Sequence, residues 1–204
     1  MLKIFISVLF FAATCVNAQN FHIVPNKVIK EKIIIENLNV DYHYSFEGFK
    51  YYLGVNLDDK TKEFGIYLLV FDNNGIKKFH SKSFLDSNTH SLTFFKSRLK
   101  PELTIILGHN SNEYSWGNEV YLLENGIIKN IGLLDVATAE PEYDLETDIS
   151  KKTSIIINED EIKFTFLVDS LTLNPGGRNH EVLSSKDIYY FYKKKQSTLE
   201  LFKE

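Results

Sequence analysis

Two polar segments carry the residue types that could bind a ligand. Residues 109–118 read HNSNEYSWGN and include the single tryptophan of the chain, and residues 174–181 read NPGGRNHE. Exposed indole and phenol rings stack on flat ligand faces, and imidazole, carboxylate and guanidinium groups add directed polar contacts, so a carbohydrate is a natural ligand. The alternative is that Trp116 packs in the core beneath its loop. The residues predicted to form the binding face are His109, Glu113, Tyr114, Trp116, Arg178 and His180.

No motif for catalysis stands out. The chain lacks the Gly-x-Ser-x-Gly and His-Glu-x-x-His motifs, a phosphate-binding glycine loop and paired histidines at metal-ligand spacing. We therefore predict no catalytic residue, no metal and no cofactor. The acids within residues 140–148 would suit a weak calcium site, but we interpret them as a solvated surface. A carboxylate pair for glycoside hydrolysis is defined by separation in space, so the sequence leaves that activity open.

Strands must hold these segments in place, and the hairpin at residues 119–135 is the clearest of them. Two runs rich in Val, Tyr, Leu and Ile flank Asn125-Gly126, which favours a type I′ turn because both central residues need positive φ. Apolar residues on both faces of the hairpin indicate that both faces are covered. The pairs that a two-residue loop predicts are Leu123 with Ile128, Leu122 with Lys129, and Val120 with Ile131.

The rest of the pattern is also that of an antiparallel β-protein. Alternating aromatic and polar residues at 42–46 and 51–57 predict half-buried strands, and the continuous apolar run at 64–71 predicts a strand covered on both faces. Residues 86–99 fit a helix as well as a strand, and residues 137–150 look like a surface connection. We predict an all-β fold, an antiparallel β-sandwich or partly closed β-barrel built from hairpins and meanders, with roughly eight to eleven strands.

The first 18 residues have the three parts of a secretory signal peptide: Lys3, an apolar core at residues 4–13, and the small-residue site Val16-Asn17-Ala18. The core is too short to span a bilayer as a helix, so we expect no transmembrane segment after cleavage. Cleavage after Ala18 would leave residues 19–204 as a single disulfide-free domain, because Cys15 is the only cysteine. A lipid anchor on Cys15 is the alternative.

Charge narrows the classes of function. The net charge is −4, and removal of Lys3 with the signal makes it 22 − 27 = −5, which argues against a nucleic-acid partner. We predict an exported protein of the periplasm, cell surface or extracellular space, acting as a non-enzymatic binding module of the cell envelope. Its predicted partner is an envelope glycan or a protein. The alternatives are a small polysaccharide hydrolase with a carboxylate pair and a periplasmic inhibitor or immunity-type protein.

Overall fold

A computed structural model of the protein describes residues 20–56, 65–81, 89–112, 114–140, 145–176 and 179–204. The predicted signal peptide lies outside these ranges. The described residues form antiparallel strands and two short 3₁₀ turns, so the predicted all-β class is confirmed and the packed sheets fit a sandwich. Within the described ranges, no helix is long and apolar enough to cross a membrane. With one cysteine, the chain contains no internal disulfide.

The strands of the described ranges follow in chain order. They are β1 Phe21–Val24, β2 Lys27–Ile35, β3 Leu38–Phe46, β4 Phe49–Asn56, β5 Gly65–Asp72, β6 Lys77–His80, β7 Thr89–Ser97, β8 Leu103–Ser111 and β9 Ser115–Glu124. They continue with β10 Ile127–Leu134, β11 Val136–Glu140, β12 Leu145–Thr147, β13 Thr153–Ile157, β14 Glu161–Phe166, β15 Ser170–Leu173, β16 Glu181–Ser184, β17 Ile188–Lys193 and β18 Thr198–Lys203. The 3₁₀ turns are Ser150–Lys152 and Ser185–Asp187.

These strands form four sheets, which we name by position. The central sheet has the order β1-β7-β8-β9-β10, and the meander sheet has the order β2-β3-β4-β5-β6. The C-terminal sheet has the order β13-β14-β17-β18, and the side sheet has the order β12-β11-β15-β16. All pairings within the meander sheet are antiparallel, and its neighbouring strands are also consecutive in sequence.

The central sheet is buried on both faces, as the apolar run of β8 requires. Ile105 and Leu107 belong to a core shared with the C-terminal and side sheets, which includes Phe164 and Tyr192. Ile106, between them, belongs to a second core shared with the meander sheet. Successive side chains of a strand point to opposite faces, so a continuous Ile-Ile-Leu run is what a strand between two cores needs. The same holds for β5, whose residues alternate between the second core and a smaller third cluster.

The β9–β10 hairpin matches its predicted register near the turn and departs from it farther away. Asn125 and Gly126 both have positive φ, of 52° and 76°, and Leu123 pairs with Ile128. Val120, however, pairs with Gly132 and not with Ile131, so that prediction is wrong. A β-bulge between Asn130 and Gly132 adds one residue to β10, and the Gly132 N–H donates to Asn130 Oδ1 at 2.8 Å within it.

Two other sequence predictions need correction. The structure contains eighteen strands over its described ranges, more than the eight to eleven expected, because several segments pair as strands of only three to five residues. Residues 137–150, interpreted as a surface connection, include most of β11 and all of β12. Residues 86–99, which were open between helix and strand, include β7 from Thr89 to Ser97. Pairing with β1 and β8 decides that segment, since its own pattern fits both structures.

Candidate functional site

The first polar segment is strand rather than loop over most of its length. His109 pairs with Asn118, and Ser111 pairs with Ser115, so the β8–β9 hairpin extends almost to its turn. Tyr114 lies at that turn with 49% of its surface exposed. Glu113 lies outside the described residues. The interpretation of residues 109–118 as a polar loop on a scaffold is therefore wrong for His109 and Trp116, which belong to the paired strands.

Trp116 brings the two polar segments together. A Cβ atom at Gly176 would lie 3.3 Å from Cε3 of the indole, so the backbone of the second segment covers part of that ring. Trp116 is partly buried, and its Nε1 has no hydrogen-bond partner among the residues described. His180 is exposed beyond Gly176, and Arg178 is outside the described ranges. A ligand-binding face at these residues stays a prediction, with one part of the indole already in contact with protein.

His109 belongs to a small polar cluster on the face of the central sheet that packs toward the C-terminal and side sheets. Its Nε2 lies 3.1 Å from Ser115 Oγ, and burial lowers the pKa of the imidazole, opposed by the charge of Asp148. Asp148 Oδ1 accepts hydrogen bonds from the backbone N–H of Ser150 at 2.8 Å and is 2.6 Å from the Ser150 hydroxyl. Asp148 Oδ1 is thus engaged with Ser150, and the carboxylate acts on His109 through its charge. Ser115 is 1% exposed, which suits packing more than nucleophilic attack.

The opposite face of the same sheet end forms a cavity that the sequence analysis missed. Its volume is about 540 Å³, and it lies between the central sheet and strands β5 and β6 of the meander sheet. The meander sheet supplies mainly apolar wall, including Leu68 and Phe79. The Phe79 ring meets the Tyr121 ring edge-on at 5.6 Å between centroids. The polar side chains of the central-sheet wall are His90, Asn110, Glu119 and Asn130.

His90 and Asn110 form the buried part of the polar wall. They are cross-strand partners on β7 and β8, with 5% and 0% of their surfaces exposed, and His90 Nδ1 is hydrogen-bonded to Asn110 Oδ1. Gly108 makes room for the ring, since a Cβ atom there would lie 2.9 Å from His90 Nε2. Burial lowers the pKa of His90 to about 4, although the contact with Asn110 acts in the other direction. The imidazole is therefore neutral near pH 7.

Glu119 and Asn130 form the part of the wall nearer to solvent. Asn130 is exposed, and its side-chain amide donates a hydrogen bond to Glu119 Oε2. Burial raises the pKa of Glu119, opposed by that hydrogen bond. The β-bulge fixes this contact, because Asn130 Oδ1 accepts from Gly132 N–H and leaves the amide nitrogen directed at Glu119. The β-bulge in the β9–β10 hairpin thus positions the hydrogen bond between Asn130 and Glu119 in the cavity wall.

The cavity places hydrogen-bonding side chains and one carboxyl group beside an apolar wall. The described lining contains one acid, Glu119, and neither lysine nor arginine. Over the described ranges, no group of three or more His, Cys, Asp or Glu side chains is arranged to hold a metal ion. Such a site fits the binding of a polar, uncharged molecule better than it fits metal or ion chemistry.

A signal for this cavity exists in the sequence, but it depends on strand register. If residues 92–95 are assigned to a strand, His90 falls on the same face as Leu92 and Phe94, and a polar residue on a buried face points to a special role. Asn110 lies two residues after Gly108 and therefore on the same face of its strand. The cross-strand pairing that joins them is not visible in either segment alone. No protein-family model, no curated protein and no solved structure matches this chain.

Proposed function

We propose that the protein is an exported, non-enzymatic binding module of the cell envelope that holds part of a glycan in the cavity between the central and meander sheets. The observation that carries the proposal is the pairing of two walls: hydrogen-bonding His90 and Asn110 on one side, Leu68 and Phe79 on the other. Carbohydrates present hydroxyls at their edges and C–H groups on their faces, so they suit such a pair of walls. The volume of about 540 Å³ lies within the usual range for small-molecule sites.

Binding without catalysis is supported by the charges of the wall. Glycoside hydrolysis ordinarily uses two carboxyl groups on either side of the bond that breaks. Among the lining residues described, Glu119 alone carries a carboxyl group. Export is supported by the three-part N-terminal segment and by the single cysteine at position 15. Intact-mass measurement on protein recovered from the producing cell tests export: a mass that retains residues 1–18 would overturn it.

The binding proposal is tested by calorimetric titration of the purified protein with maltotriose, cellotriose and mannotriose. Leu133 lines the cavity from β10, and Leu133→Trp places a larger side chain into the space. The matched control is Ile127→Trp on the same strand, because Ile127 is 71% exposed and away from the cavity lining. We expect at least one trisaccharide to bind the parent protein and the control variant, and binding to be lost in Leu133→Trp. Failure of every trisaccharide, or equal binding by Leu133→Trp, would overturn the proposal.

A further inference from the structure

Two hydrogen-bonding atoms of the cavity wall lack partners. His90 Nε2 and Asn110 Nδ2 are both buried, and neither has a hydrogen-bond partner in the part of the chain that is described. A buried donor or acceptor without a partner is unfavourable, since it has lost its bond to water and gained none in the protein. The two atoms belong to one hydrogen-bonded pair, so they are held at fixed positions relative to each other. Both atoms have almost no accessible surface in this structure, so a bound molecule could supply partners to both only after a shift of the groups that cover them.

The pair offers one donor and one acceptor whichever way its hydrogen bond runs. If His90 Nδ1 carries the proton and donates to Asn110, Nε2 is an acceptor and the Asn110 amide nitrogen is a donor. If the amide is turned over, it donates to Nδ1, Nε2–H becomes the donor and the amide oxygen becomes the acceptor. In both arrangements the pair is matched by the same kind of ligand, one that donates a hydrogen bond from one atom and accepts a hydrogen bond at a nearby atom.

Hydroxyl groups meet this requirement best. One hydroxyl oxygen both donates and accepts, and neighbouring hydroxyls of a sugar can engage both members of a fixed pair. A carboxylate only accepts, so it would leave the acceptor of the pair without a partner. It would also bring negative charge to a wall whose described lining holds Glu119 and no lysine or arginine.

From this geometry we infer that the His90–Asn110 pair recognises the hydroxyl groups of an uncharged sugar, and that the cavity selects neutral sugars over uronates. The inference rests on the proposed function, because it names the ligand class of the same cavity. Neutral His90 agrees with it: an imidazolium would turn the pair into two donors and would attract a carboxylate.

The test uses monosaccharides that share a ring and differ in charge. Glucose and glucuronate form one pair, and galactose and galacturonate form the other. Each is titrated into the purified protein near neutral pH and followed by NMR, through the His90 imidazole nitrogens and the Asn110 side-chain amide. We expect the neutral sugars to bind more tightly than the uronates and to shift the resonances of His90 Nε2 and Asn110 Nδ2.

Two variants of His90 test the roles of its two ring nitrogens separately. His90→Asn keeps an amide near the position of Nδ1, where it can bond Asn110, but removes the group at Nε2. His90→Gln places an amide near the position of Nε2. Loss of one uncharged hydrogen bond corresponds to about three- to tenfold weaker binding, which we expect for His90→Asn. His90→Gln restores a group near Nε2 but loses the bond to Asn110, so it should bind more tightly than His90→Asn and less tightly than the parent. Thermal melts check that both variants fold, and the resonance shifts of the parent protein decide the question if they do not.

The outcomes separate this inference from the function on which it rests. If trisaccharides bind in the cavity but the uronates match the neutral sugars, recognition belongs to another group, and the inference is wrong while the function stands. The same follows if a sugar binds without shifting either nitrogen. If no sugar of any charge binds, the proposed function fails and the inference fails with it.

Discussion

The burial of His90 should make the stability of the protein fall with acid. Its pKa is about 4 in the folded protein, against 6.5 for an unperturbed histidine. Because the folded pKa is the lower of the two, the unfolded chain takes up the proton first as the pH falls. The contribution to stability is therefore complete above about pH 6.5 and is lost as the pH falls toward 4. An interval of 6.5 − 4 = 2.5 in pKa corresponds to about 3 kcal/mol of unfolding free energy.

The measurement is urea unfolding of the parent protein and of His90→Gln, at about pH 7 and about pH 4. Trp116 is the only tryptophan, so its fluorescence reports the transition in both proteins. Gln cannot be protonated in this range, so the variant lacks the acid-dependent loss of this one group. We expect the free energy of unfolding of the parent protein to drop by about 3 kcal/mol more than that of the variant.

The comparison isolates His90 from the other acid-sensitive groups. Burial also lowers the pKa of His43 and of His109, but both residues are present in the two proteins and their effects cancel in the difference. Equal losses in parent and variant would refute the reasoning. That result would mean that His90 takes up its proton in the folded state without penalty, through access to water or through an acceptor other than Asn110.

Three further substitutions probe the same region. Gly108→Ala should destabilise the protein by about 1–3 kcal/mol and weaken sugar binding, because the new methyl group would lie 2.9 Å from His90 Nε2; a urea titration and the calorimetric assay measure the two effects. Glu119→Gln should raise stability near neutral pH, since burial raises the pKa of the carboxyl group and ionising it in the fold is costly; a gain that appears as the pH rises above 4.5, the unperturbed pKa, in urea titrations is the expected sign. Phe94→Ala should cost about 3–5 kcal/mol in the same assay, because Phe94 is fully buried against the rings of Phe46 and Tyr51; a cost below about 1 kcal/mol would contradict the packing.

The sequence predicted the fold where local chemistry determines it. Asn125-Gly126 determines a type I′ turn by itself, and the pairing of Leu123 with Ile128 follows from that turn. The predicted pairing of Val120 with Ile131 failed because the bulge at Asn130 adds a residue to β10. Asn130 stabilises the bulge through a hydrogen bond from Gly132 N–H, and nothing in the run KNIGLL distinguishes that asparagine from one on an ordinary strand.

The cavity was harder to predict because its parts come together only through long-range pairing. His90 lies in a segment whose pattern fits a helix as well as a strand, and only its register against β8 places it beside Asn110. The polar segment was predicted to be a loop because it is rich in Asn and Ser. Sheet pairing overrides that tendency, and it buries Asn110 and Asn118 completely. Composition indicated which segments are rich in polar residues, but it did not indicate on which face of the sheet their side chains lie.

The position of the central sheet between two cores has a consequence for the order of events in folding. Strands β7, β8, β9 and β10 are consecutive and pair with their neighbours, so they can assemble through short loops, which is the faster kind of contact to form. The meander sheet buries its side of the second core, and the C-terminal sheet buries its side of the first, by packing on the central sheet. Backbone amides of β8, paired on both edges and covered on both faces, should therefore exchange with deuterated solvent last. Those of the edge strands β2 and β18 should open first, without unfolding the layer that carries His90 and Asn110.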